Sequence, residues 1–230
     1  MKRSMSVLVA AILGAAMCAP LAAGEASKGA PEAELGKLAA AEARLPASAK
    51  PEKGLGQAER ERVAAAFLEA GRLCHDLQNA YAEPLGKKGV RYLKASLAYR
   101  ESPLTRAYLG SLHMIQARDA SSVITKVKEV DDGLKEVDAA VKAAPADITV
   151  RAIRVECTIE LPPMFKRLDT VTADLQILLD RYAAEPEAFV DAFEPARLFE
   201  LKAQELDLRG KPSLAQKYRE KAASMQGASR

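Results

Sequence analysis

Aromatic and imidazole side chains are scarce in this sequence. Among its 230 residues there is no tryptophan, there are two histidines, and the aromatic share is 5%. Few side chains are therefore available for general acid-base chemistry. Valine and isoleucine are also few, whereas Ala, Leu, Glu, Lys and Arg, all good helix formers, dominate. We expect a soluble, catalytically sparse, all-α protein with almost no sheet.

Motifs of enzymes and metal sites are also missing from the sequence. It contains no glycine-rich phosphate loop and no nucleophile elbow, and the acidic cluster over 129–132 fits a solvated helix face better than a calcium loop. Cys74 and His75 are adjacent, but helix neighbours point about 100° apart, which disfavours a catalytic pair. A metal site combining them with His113 and Cys157 has no recognisable ligand spacing. We expect no catalysis, no cofactor and no metal.

The N-terminus has the pattern of a secretory signal peptide. Lys2 and Arg3 precede an apolar run over 7–17, and three small residues end at Gly24, where cleavage would occur. The run is shorter than the ~20 residues that cross a bilayer, and nothing later in the chain resembles a membrane span. We predict that residues 1–24 are a signal peptide and that the protein is exported to the periplasm or cell envelope.

Cysteine usage leaves two alternatives open. Lipoprotein processing at Cys18 would add a lipid anchor, although Met17 is larger than the residue usually found at that place. Cleavage after Gly24 would instead discard Cys18 and leave Cys74 and Cys157. These two could form a disulfide in an oxidising compartment, or each could pack as a small apolar side chain in its helix.

The charge balance argues against one class of partners. The chain has 34 Lys and Arg and 31 Asp and Glu, and removing Lys2 and Arg3 with the signal peptide leaves 32 against 31. A nucleic-acid or membrane-surface binder would carry a strongly positive domain or stripe. We therefore expect neither nucleic acid nor a membrane surface as the partner.

Helical periodicity divides the remaining chain into two parts. Residues 25–56 are rich in Ala, Pro, Lys and Glu, which predicts a flexible linker with at most a short helix over 32–43. From 57 to 230 apolar residues recur every three or four positions, which predicts one domain of about eight helices paired as antiparallel hairpins. The predicted helices cover 57–80, 90–98, 103–118, 123–141, 147–161, 165–183, 186–208 with a kink at Pro195, and 212–225.

Two of these hairpins carry residues at matching places. The last has Phe199, Ala203 and Leu206 on its first helix, Gly210 in the turn, and Ala215 and Ala222 on its second. The middle one has Leu109, Gly110 and His113, followed by Gly133, Val137, Ala140 and Pro145. This spacing resembles the tetratricopeptide repeat (TPR), a helical hairpin of about 34 residues. The repeats are degenerate: Arg219 occupies an aromatic position beside Tyr218, and Asp174 and Arg181 stand where small residues belong.

The resemblance implies an architecture and a binding surface. TPR-like hairpins stack as an α-solenoid whose first helices line a concave groove, and such proteins are mostly interaction scaffolds. Aligned with the repeat, the groove positions are held by Ser111, Met114, Arg154, Gln204 and Asp207. Arg151 lies three residues before Arg154 and would share its side of the helix.

Arg151 and Arg154 have two interpretations. They could grip a carboxylate of an acidic or C-terminal peptide, or they could pair with Asp147, Glu156 or Glu160 of the chain itself. The first interpretation favours an exported TPR-like interaction scaffold or assembly factor that binds a protein or peptide in its groove. The alternative function is an exported enzyme or small-ligand-binding protein, with a pocket between helices near the two arginines and His113.

Overall fold

A computed structural model describes residues 30–78 and 85–228, and these residues form helices and connecting turns without any strand. Their nine α-helices are α1 (Ala30–Glu42), α2 (Gln57–Leu77), α3 (Leu85–Tyr99), α4 (Pro103–Asp119), α5 (Val123–Ala143), α6 (Ile148–Thr158), α7 (Leu168–Ala184), α8 (Pro195–Leu208) and α9 (Pro212–Ala228). Two short 3-10 helices, Pro163–Phe165 and Pro186–Phe189, flank α7. The all-α prediction is confirmed for this part of the chain. The predicted signal peptide and Cys18 lie outside the described residues.

Capping side chains set several helix boundaries where the sequence predicts them. The Ser102 hydroxyl accepts a hydrogen bond from the backbone N–H of Thr105, with Pro103 at the first position of α4. The Asp147 carboxylate accepts one from the N–H of Val150 at the start of α6. Gly210 has a φ of +70°, a conformation that glycine adopts without strain, and separates α8 from α9.

The predicted kink at Pro195 is wrong. The segment expected to be one helix over 186–208 is divided into a 3-10 helix, Pro186–Phe189, and the α-helix α8, which begins at Pro195. Proline has no backbone N–H, so the first position of a helix, whose N–H has no partner within the helix, accommodates it better than the interior does.

The described part of the predicted flexible linker contains a packed helix. Leu38 and Ala41 of α1 are buried in a cluster with Leu73 and Leu77 of α2. The Glu42 carboxylate, at the end of α1, accepts a hydrogen bond from the Tyr92 hydroxyl at 2.9 Å. Residues 30–42 thus form the short helix that the sequence allowed over 32–43. It is packed, because even a few apolar side chains stabilise a helix when a neighbouring helix covers them.

The chain divides into two compact units, a division that the sequence did not predict. Unit 1 comprises the described residues up to Ala143, with α1–α5, and unit 2 those from Ala144, with α6–α9. In each unit, helices that follow one another in sequence pack together. Apolar clusters lie between the helices of unit 1. Unit 2 contains a larger cluster around Leu175, Phe189 and Leu198 and a smaller one of Ala203, Leu206 and Ala215.

Glycines let the helices of unit 1 approach closely. A Cβ atom added at Gly110 of α4 would lie 2.6 Å from Val137 Cγ1 and 2.8 Å from the carbonyl oxygen of Gly133 on α5. A Cβ added at Gly133 would lie 2.9 Å from the carbonyl oxygen of Gly110. Both glycines stand at positions that the TPR resemblance singles out, and the backbones of α4 and α5 meet there.

Within the described ranges, every helix is too short or too polar to cross a lipid bilayer.

Candidate functional site

An open depression on unit 2 lies between α8 and α9. Its volume is about 370 Å³. It is lined by Glu200, Gln204, Asp207, Arg219, Ala222, Ala223 and Gln226. Two predicted groove residues, Gln204 and Asp207, are therefore part of its wall. The spacing of 200, 204 and 207 places these side chains on one face of α8.

The polar side chains of the depression contact one another and the turn after α6. The Gln226 amide donates to Glu200 at 3.1 Å, and the Gln204 amide donates to Glu160, in the turn that follows α6, at 3.3 Å. Arg219 forms an ion pair with Asp207, and the two side chains are 48% and 36% exposed. The surface is thus polar and open to solvent, with alanines where α9 faces α8.

Arg151 and Arg154 converge on Asp174, a carboxylate of α7 that is only 2% exposed. Arg154 Nε lies 2.8 Å from Oδ2 of Asp174, and a terminal nitrogen of the same guanidinium lies 2.8 Å from Oδ1. Arg151 bonds the same carboxylate and the carbonyl oxygen of Pro145. Both guanidinium groups are therefore engaged inside unit 2.

The spacing of acidic residues near Arg151 and Arg154 in the sequence did not identify Asp174 as their partner. The three acids considered from the sequence have other roles: Asp147 caps α6, Glu156 pairs with Arg197 at 3.1 Å, and Glu160 accepts from Gln204. Asp174 lies on the next helix, where the TPR resemblance expects a small residue. The departure of residue 174 from the repeat pattern is the signal that could have identified it.

Ser111 and Met114, two further predicted groove residues, are buried in unit 1. Met114 has no exposed surface, and its side chain lies against Gly133 at the contact of α4 with α5. Ser111 is 5% exposed, and its hydroxyl lies 2.8 Å from His75 Nε2. The structure therefore brings Gln204 and Asp207 together on an open surface and places Ser111 and Met114 in a core.

His75 connects this serine to an aspartate. Its Nδ1 lies 2.9 Å from Asp76 Oδ1, and its ring packs edge-on against Tyr108. The order serine, histidine, aspartate is that of a serine-hydrolase relay. However, Ser111 lies inside α4, where the neighbouring backbone N–H groups donate to helix carbonyls and cannot stabilise an oxyanion. We therefore assign the arrangement to the packing of α2 against α4.

The remaining candidates for chemistry are also engaged in packing. Cys74 and Cys157 are buried thiols of different units, and burial raises the pKa of Cys74 to about 11, which keeps it protonated at neutral pH. His113 is buried, with Nδ1 2.6 Å from the Glu129 carboxylate. Over 30–78 and 85–228, no group of three or more His, Cys, Asp or Glu side chains is placed to hold a metal ion.

A buried acid fixes the helix that carries the depression. Glu205 of α8 has no exposed surface and accepts hydrogen bonds from the Thr172 hydroxyl at 2.6 Å, Lys202 Nζ at 2.9 Å and Arg209 Nε at 2.5 Å. Burial alone would raise the pKa of Glu205, but these three donors outweigh it and hold the pKa below its usual range. Because Thr172 belongs to α7, the network joins α8 to the core of unit 2.

Comparison with known proteins finds no matching family profile, no matching curated sequence and no matching solved structure.

Proposed function

We propose that this chain is an exported TPR-like scaffold of the cell envelope that binds a protein or peptide partner and performs no catalysis. The pattern over 1–24 supports export. The glycines that let α4 meet α5, and the alanines between α8 and α9, support TPR-like packing within these two hairpins. Stacking of the hairpins as a solenoid is what the TPR resemblance implies.

The depression between α8 and α9 is the observation that supports partner binding. It is open, its wall contains two residues at groove positions of the repeat, and α8 is fixed beneath it by the Glu205 network. A surface whose backbone is already ordered loses little conformational entropy when a peptide binds, so the free energy of binding is not reduced by a cost of folding the site. Arg151 and Arg154 do not contribute to binding in this proposal, because Asp174 engages both.

The test is affinity purification from native envelope extract with two double variants. Gln204→Ala/Asp207→Ala should lose the partner that the wild-type protein retains. Gln176→Ala/Asp180→Ala removes another exposed Gln and Asp, from α7, whose side chains bond each other at 2.7 Å, and should retain the partner. Equal retention by both variants would contradict binding in the depression.

The proposed export is tested by the intact mass of the native protein. A mass matching residues 25–230 supports signal-peptide cleavage after Gly24. A mass matching a chain that starts at an acylated Cys18 would show a lipid anchor instead, and the full-length mass would contradict processing.

A further inference from the structure

We infer that the segment bound in this depression is basic, with lysine or arginine side chains that meet the carboxylates of α8 and of Glu160. This inference rests on the proposed function and adds the chemistry of the partner.

Acidic side chains outnumber basic ones at the depression. Three carboxylates and two guanidinium groups line it or bond directly to a side chain that lines it. The acids are Glu160, Glu200 and Asp207, and the bases are Arg197 and Arg219. At neutral pH the set carries a formal surplus of one negative charge.

Each arginine already has acidic neighbours. Arg197 lies 3.1 Å from Glu156 and 3.3 Å from Glu200, and Arg219 is bound to Asp207. An acidic peptide would therefore have to displace a carboxylate of the protein and would approach others of the same sign. Such like-charge contacts disfavour the wrong partner.

A basic peptide encounters a lower barrier, because it only has to displace Arg219 from a solvent-exposed ion pair. The Arg219–Asp207 pair is about half exposed, and ion pairs of this kind contribute only about 0–1 kcal/mol. An incoming lysine can replace Arg219 at Asp207. Glu160 accepts a hydrogen bond from the Gln204 amide, and Glu200 accepts from the Gln226 amide and from Arg197. The small side chains of Ala222 and Ala223 leave room above α9 for the stem of a long side chain.

The experiment measures fluorescence anisotropy of two labelled peptides with the full protein, one alternating lysine and alanine and the other alternating glutamate and alanine. We expect the lysine peptide to bind more tightly, with affinity that falls as salt is added. Glu200→Gln/Asp207→Asn should weaken its binding at least about fivefold. Arg219→Gln should strengthen it, because Asp207 is then released.

Asp180→Asn/Glu187→Gln is the matched control. It makes the same change in net charge at two exposed acids outside the depression and should leave binding unchanged. Circular dichroism checks that each variant is folded. An equal loss in the control would show non-specific attraction and overturn the inference.

Two outcomes separate this inference from the proposed function. Tighter binding of the glutamate peptide, abolished by Gln204→Ala/Asp207→Ala, would overturn the basic partner and leave the depression as a binding site. Failure of the lysine peptide to bind would also overturn the inference. The proposed function fails only if Gln204→Ala/Asp207→Ala retains the native partner.

Discussion

Asp174 compensates two guanidinium groups in the interior of unit 2. Replacing it with alanine removes the buried carboxylate that Arg151 and Arg154 both bond, and loss of one member of a buried ion pair costs about 3–5 kcal/mol. We expect Asp174→Ala to lower the free energy of unfolding by this amount in urea denaturation followed by circular dichroism. Asp180→Ala, at an exposed position of the same helix, should change it by less than about 0.5 kcal/mol. A small effect at residue 174 would show that water reaches the arginines.

Gly110 is constrained by the backbone of the facing helix. In Gly110→Ala the new methyl group would lie 2.8 Å from the Gly133 carbonyl oxygen, so α4 and α5 must separate, at a cost of about 1–3 kcal/mol. Gly36→Ala is the control, because nothing lies within 4 Å of a Cβ added there, and alanine should stabilise α1 by up to about 1 kcal/mol. Thermal denaturation should therefore shift in opposite directions for the two variants.

The lowered pKa of Glu205 predicts a pH dependence of stability. A carboxyl group whose pKa is lower in the folded state than in the unfolded state stabilises the folded protein when the pH is above the unfolded-state pKa, near 4.5. This stabilisation is lost as the pH falls through the folded-state pKa. Glu205→Gln should thus be less stable than wild type by about 1–3 kcal/mol at neutral pH. The difference should shrink below pH 4.5 in urea denaturation over an acid pH series. A difference that stays constant with pH would assign the effect to packing.

At the scale of helices, the packed position of α1 has a direct test. Leu38 is 3% exposed, and Leu38→Ala should destabilise unit 1 by about 2–4 kcal/mol, because it leaves a cavity against α2. Leu214→Ala on α9, where the leucine is 41% exposed, should have little effect. Hydrogen exchange across 33–42 measures the result, and rapid exchange of these amides in the wild-type protein would support the flexible linker predicted from the sequence.

Helix boundaries could be predicted from the sequence where capping residues mark them locally. Contacts between side chains of different helices could not be predicted. Ser102 and Asp147 mark helix starts within three residues of the N–H groups they cap, so the sequence alone locates them. Pro195 was misassigned because a proline at the first position of one helix resembles a kink within a longer one. The convergence of Arg151 and Arg154 on Asp174 depends on how α6 packs against α7, which periodicity does not specify.

The candidate site follows the same rule. Gln204 and Asp207 were predicted as groove residues from their position in the last hairpin, and both line the depression. Ser111 and Met114 were placed by the same alignment in a hairpin with lengthened helices, and both are buried. Arg219 and Glu200 were not predicted as groove residues, because their roles depend on the contact of α8 with α9.

At the scale of the whole molecule, the division into two units predicts which helices a destabilising substitution affects. Each has its own buried clusters, so we expect Asp174→Ala to increase hydrogen exchange in unit 2 and to leave the amides of α2 and α4 protected. Mass spectrometry of deuterium uptake in wild type and variant measures this directly. Comparable increases in both units would show that they unfold as one cooperative body.

The carboxylate shared by Arg151 and Arg154 also constrains evolution. Losing Asp174 leaves two guanidinium groups without the carboxylate that both bond, and losing either arginine removes hydrogen bonds to a buried carboxylate, so single substitutions at these positions should be selected against. In diverging descendants the three positions should therefore covary. We expect near relatives to keep all three side chains, and distant relatives to have uncharged residues in place of both arginines together with an uncharged residue at position 174. Such joint replacement would be a marker of common ancestry where overall sequence identity has faded.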